Sequence, residues 1–165
     1  MEYMSQEGYD KLVAELRHLE TVELPQVKDA IAEARDKGDL SENFEYHAAK
    51  RSQSRLLGRI SFMQKVLANA RVLDTSKMSE GSVQLLSRVE MSRLAVNGNS
   101  MQGKPAPRMA YTIVSPHEAD LKSGKISIKS PIAQALLGKK VGDVVEVRVP
   151  AGMMTLRIES IQLMR

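Results

Sequence analysis

Two carboxylates three residues apart, Asp39 and Glu42, are the side chains of this sequence best suited to chemistry. They stand in the run Gly38-Asp39-Leu40-Ser41-Glu42-Asn43. Mg2+ is typically held by one or two carboxylates, with waters and phosphate oxygens completing its octahedron. A lone pair binds that ion weakly in free solution. Two-metal phosphodiester chemistry further needs an oriented water and both ions clamped about 3.5–4 Å apart. The pair therefore cannot form an active site alone, but it could complete one that already holds a first ion. The same spacing also has a plain structural reading. Asp-x-x-Glu at a helix start is a capping box, with Asp39 at the N-cap and Glu42 at the third helical position.

The elements that position the pair are two helix-like segments with apolar residues at steps of three and four. In the first, Ser5 can cap a helix starting at Gln6, and Leu12, Leu16 and Leu19 are followed by Val27, Ala30 and Ala34. The step of eight from Leu19 to Val27 is a one-residue slip from the heptad, and Pro25 lies inside it. Proline in a helix interior costs about 3 kcal/mol, so a kink or short break is expected near Leu24. In the second, Tyr46, Ala49, Gln53, Leu56, Ile60, Met63, Leu67 and Ala70 alternate steps of three and four. That is a coiled-coil seam, and the first segment is its obvious partner. Gly38 is the residue expected to stop the first helix in the left-handed region. The second helix then begins between Asp39 and Asn43, leaving both carboxylates at the far end of a rod about 40–45 Å long.

Composition narrows the classes. With 24 basic and 20 acidic residues the net charge is +4, compatible with a phosphate-bearing partner without demanding one. Cysteine is absent, which excludes disulfides and cysteine–zinc sites and points to a reducing cytoplasm. No stretch approaches the roughly 20 apolar residues of a membrane span. His18, His47 and His117 lack a second ligand at useful spacing, and no phosphate-loop, dinucleotide or nucleophile-elbow motif is present. Lys50, Arg51, Arg55, Arg59, Lys65 and Arg71 mark a basic face on the second helix, whereas residues 1–37 carry nine acids and five bases. Such asymmetry suits a rod lying along a nucleic-acid backbone, although a solvated face is the plainer reading.

Helical periodicity stops near Leu73, and a polar linker leads to residues of period two. Arg88–Leu94, Met109–Val114, Lys125–Lys129, Val145–Val149 and Leu156–Ile161 read as antiparallel strands, with Asn97–Arg108 as a long loop. Ser130 followed by Pro131, and Gly138 beyond Leu137, bracket one short helix. The expected class is α+β: a two-helix antiparallel coiled coil over residues 1–75, then a small sheet domain with one helix over 76–165.

Gly38 through Lys50, above all Gly38-Asp39-Leu40-Ser41-Glu42-Asn43-Phe44-Glu45-Tyr46-His47-Ala48-Ala49-Lys50, closely resembles the tip motif of the bacterial transcript cleavage factors GreA and GreB. Ile31–Arg35, Ser130–Ala133, Leu136–Lys139 and Gly142-Asp143 are similar too, and Tyr46-His47-Ala48-Ala49-Lys50 is most like the GreA branch. The resemblance implies a coiled coil followed by an FKBP-like domain that docks on bacterial RNA polymerase. The coiled coil would enter the secondary channel and present its acids to the catalytic Mg2+. The polymerase, rather than this chain, would then cleave the nascent RNA near its 3′ end in backtracked complexes.

On that resemblance Asp39 and Glu42 are the catalytic tip acids, sharing Mg2+ with the polymerase, and no metal is held by the chain alone. Leu40, Asn43 and Tyr46 shape the tip. Arg35 and Lys50 match basic positions near the RNA, with Arg51 and Arg55 of the basic face placed beside them, and Ser130 and Pro131 match the docking loop. A cytoplasmic monomer without prolyl isomerase activity is expected. Phe44 stands where a small residue is expected, Lys129 where an acid or amide is expected, and the Asn97–Arg108 loop is longer than usual. The alternatives are a channel-blocking regulator that inhibits without cleavage, and a coiled-coil chaperone.

Overall fold

The computed structural model describes residues 2–38, 43–94, 107–150 and 152–164. Asp39, Leu40 and Glu42, and the Asn97–Arg108 loop up to residue 106, lie outside the described residues. The chain divides into two units, Met1–Glu2 with Gln6–Arg71 and Tyr3–Ser5 with Val72–Arg165, so the division falls a few residues before 75/76.

In the first unit, α1 (Gln6–His18) runs into a π-helical turn (Leu19–Glu23) and then α2 (Leu24–Asp36). The expected kink near Leu24 takes this form for a physical reason. Pro25 has no N–H and its ring crowds the carbonyl one turn back, so the turn before it must open. The Leu24 N–H reaches back to the Leu19 carbonyl, which widens the turn by one residue. That extra residue absorbs the heptad slip: Leu12, Leu16, Leu19, Leu24 and Val27 all join the cluster around Leu56, Ile60 and Met63. Beyond Val27 the seam continues through Ile31 and Ala34, which are buried. Ala30, expected in the seam, is exposed. After Val27 the step is four, because the bulge has rotated the face that follows it.

α3 (Phe44–Asn69) follows the expected seam closely. Leu56, Ile60 and Met63 are buried, and Tyr46, Ala49, Gln53 and Leu67 are half-buried. The helix stops at Asn69 rather than near Leu73, because Ala70–Val72 is extended as β2. The N-terminal residues Glu2–Met4 form β1. Arg59, placed by the sequence on the outer basic face, instead forms an ion pair with Glu15.

The second unit is a five-stranded sheet of β3 (Ser87–Leu94), β4 (Arg108–Val114), β5 (Lys125–Ser127), β6 (Val144–Val149) and β7 (Gly152–Leu163), in the order β5-β4-β3-β7-β6. The expectation of a wholly antiparallel sheet is corrected at one edge: β5 pairs with β4 in parallel. The reason is the connection after β4, which passes through the turns at Pro116–Glu118 and Leu121–Ser123 before β5 starts and so does not make a hairpin. A bulge where the β3–β7 register shifts between Glu90 and Met91 bends the long β7. Val89, Met91, Ile113, Leu156 and Ile158 fill the core together with Ala133 and Leu136 of α4 (Pro131–Leu136).

The register of the coiled coil is testable by a pair of substitutions on adjacent sides of α3. Ile60→Ala, at a buried position, is expected to lower stability by about 2–4 kcal/mol. Leu57→Ala, at a position that is 47% exposed, should cost well under about 1 kcal/mol. Urea unfolding followed by helical circular dichroism reads both. Equal losses would show that the seam runs elsewhere.

Candidate functional site

Two long helices that meet head to tail leave unpaired carbonyls at the end of the first and unpaired N–H groups at the start of the second. Here one side chain serves both. Asn43 is the N-cap of α3, with extended backbone, and its Oδ1 accepts from the Tyr46 N–H at 3.0 Å. Its Nδ2 donates to the Ala34 carbonyl of α2 at 2.6 Å. The Ala34 carbonyl also accepts from the Lys37 N–H at 3.2 Å, which closes the last turn of α2. Lys37 and Glu45 form a further bridge at 3.4 Å, largely exposed and so worth at most about 1 kcal/mol.

This geometry corrects the capping-box reading. The cap of α3 is Asn43, so Asp39 is not its N-cap, and Glu42 does not stand at its third position. Asp39 and Glu42 belong by sequence to the four residues between Gly38 and Asn43. Gly38 itself has φ +146°, in a region that favours glycine but lies beyond the left-handed helical stop expected for it.

The remaining expected residues of the first unit gather near the same end. The Arg35 guanidinium lies 6.0 Å from the centre of the Tyr46 ring, a cation–π distance, and Tyr46 meets His47 edge to face at 5.6 Å. Lys50, Arg51 and Arg55 line an open groove with His47 and Ser54. Among the described residues no carboxylate forms an ion pair with any of these three cations. Ser130 and Pro131 lie in the other unit, where Ser130 Oγ accepts from the Ala133 N–H at 3.3 Å and Pro131 opens α4.

Among the described residues no group of three His, Asp or Glu is placed to hold a metal ion. Asp39 and Glu42 remain the candidate ligands, and two carboxylates with open positions for water and phosphate suit Mg2+. The dual role of Asn43 was within reach of the sequence. An amide at a helix start offers a donor as well as an acceptor, which the aspartate of a capping box does not.

The chain matches known proteins along most of its length. A family model described as the N-terminal part of a transcription elongation factor matches residues 2–72. A second, described as the GreA/GreB C-terminal part, matches residues 104–163. Transcription elongation factor GreA of Christiangramia forsetii is 48% identical over 163 residues, covering 99% of this chain and 96% of that protein. GreA of Flavobacterium johnsoniae is 45% identical over the same length, again covering 99% of this chain and 96% of that protein. Among solved structures, Gfh1 of Thermus thermophilus is 27% identical, with 98% of this chain and 99% of that chain covered and a TM-score of 0.43.

The double role of Asn43 separates its variants. Asp is as good an N-cap as Asn, so a residue that only capped would tolerate Asn43→Asp. Here the substitution removes the donor and faces a carboxylate towards the Ala34 carbonyl. A loss of about 1–2 kcal/mol is expected. Asn43→Ala, which removes both bonds, should cost about 1.5–3 kcal/mol. Thermal unfolding at neutral pH measures both, and a neutral Asn43→Asp would refute the bond to α2.

Proposed function

The chain belongs to the GreA/GreB family of transcription elongation factors, and from that premise we propose that it stimulates the RNA-cleaving activity of bacterial RNA polymerase. In this reading the coiled coil enters the secondary channel of a backtracked complex, and Asp39 and Glu42 reach the polymerase's catalytic centre. The second unit docks at the channel rim through the loop that carries Ser130 and Pro131. Arg35, Lys50, Arg51 and Arg55 lie beside the extruded 3′ end of the nascent RNA, where their charge offsets its phosphates.

The observation that carries the reading is the cap of α3. Because Asn43 caps that helix, the Asp39 and Glu42 carboxylates are not required for it, and their negative charge can serve as ligands. Their part is to complete a coordination shell and to orient a water towards the scissile phosphorus. A Mg2+ ion bound between the two partners would supply charge stabilisation and a more acidic water. The RNA 3′-oxygen is the leaving group, and the released 3′ fragment lets elongation resume. In this reading the chain acts as an accessory factor and the reaction belongs to the polymerase.

Alanine at both Asp39 and Glu42 should reduce RNA cleavage in stalled elongation complexes to the rate of polymerase alone. Binding to the polymerase, followed by competition, should stay unchanged. Chelating Mg2+ should stop cleavage with either form of the chain. Full stimulation by the double variant would refute the assignment of the two acids.

A further inference from the structure

Phe44 is the most exposed large apolar side chain among the described residues, at 86%. It is the first residue of α3, just beyond the Asn43 cap. At that exposure, burial does not account for an aromatic ring there. Phenylalanine is a mediocre helix former, and the first helical position favours proline instead. Single exposed apolar residues are common and need no explanation. The surroundings of this one are what set it apart.

At 100° per residue, Arg51 and Arg55 fall within about 20° of the direction in which Phe44 leaves the helix axis. They follow it along one line, about 10 Å and about 16 Å further on. His47 and Ser54 lie to one side of that line, about 60° and about 80° around the helix, and share the groove with Lys50, Arg51 and Arg55. Neither arginine has an ion-pair partner among the described residues, unlike Arg59, which pairs with Glu15. An exposed ring at the head of an unneutralised basic track is the arrangement that binds single-stranded nucleic acid. The ring offers a face on which a base stacks, and the cations follow the backbone. A duplex keeps its interior base faces stacked on one another, so only its open ends could meet a ring.

We propose that Phe44 is a stacking platform for one base of single-stranded RNA whose adjoining phosphates run over Arg51 and Arg55. The contact deepens the function proposed above, on which it rests for the identity of the RNA. The ring contact is to the base, so it is tolerant of sequence, and the arginine contacts weaken with salt.

The chain has no tryptophan, so Phe44→Trp places a single indole reporter at the site. Titrating this variant of the full chain at low salt, without polymerase, keeps the test independent of cleavage. A short single-stranded RNA oligomer is expected to quench the indole saturably, whereas the same sequence in a duplex closed by a stable loop at each end and an abasic ribose-phosphate oligomer are not. By fluorescence anisotropy of labelled RNA, Phe44→Ala should bind about tenfold more weakly than the unaltered chain. Phe44→Leu should be no better, because a branched side chain has no ring face. Removing both arginines should weaken RNA and abasic oligomer alike. An unquenched indole, equal RNA affinity for Phe44→Ala, or full affinity for Phe44→Leu would each overturn the proposal. So would loss of polymerase affinity by Phe44→Ala with RNA binding unchanged, which would make Phe44 a protein contact.

Discussion

One carboxamide holds the end of the hairpin together. The reversal from α2 to α3 brings unsatisfied carbonyls of one helix close to unsatisfied N–H groups of the next, and solvent could serve both only at the cost of fraying. Asn43 takes an N–H from one side and gives an N–H to the other, at 3.0 Å and 2.6 Å. An aspartate accepts only, and an alanine does neither. The helix ends are thereby tied to each other by a residue outside the acidic stretch. The cap of α3 therefore does not call on Asp39 or Glu42.

A second constraint sets the register of the seam. A two-stranded coiled coil buries a narrow stripe, so every turn that drifts away from the partner loses contact. Pro25 would force such a drift if the helix were simply broken. The π turn at Leu19–Glu23 instead lengthens one step of the seam from four residues to five, from Leu19 to Leu24. Both flanking helices keep their apolar faces on α3. The irregularity thus repairs the packing that proline would otherwise spoil, and the first arm continues from Gln6 to Asp36 with one widened turn.

Much of this was legible in the residues. The alternation of three and four from Tyr46 to Leu67 marked a coiled-coil helix, running on by pattern to Ala70, which the fold places in β2, and Ser130-Pro131 with Gly138 marked α4 by capping chemistry alone. The slip at Leu19–Val27 was visible, yet periodicity does not say whether a slip becomes a loop, a kink or a π turn. Ala30 was therefore put in the seam where Ile31 stands. The parallel pairing of β5 escaped for a similar reason: Lys125–Ser127 alternates in the same way whichever direction its neighbour runs. At the site, Asp-x-x-Glu matched a capping box because that pattern is defined by spacing, and spacing does not reveal that the next residue, Asn43, makes the better bridge. The acid pair and the basic residues were singled out by their types, and the line joining Phe44 to Arg51 and Arg55 emerged only once the first turn of α3 was fixed.

On the proposed function, the two acids in the link between the helices are ligands added to another machine's active centre. The dependence of RNA cleavage on Mg2+ concentration in stalled elongation complexes tests this most directly, comparing the chain with its Asp39→Asn variant. If the carboxylate is a ligand, the Mg2+ concentration for half-maximal cleavage should rise by about tenfold or more while polymerase affinity is unchanged. An unchanged Mg2+ requirement, with cleavage as fast as before, would contradict the account.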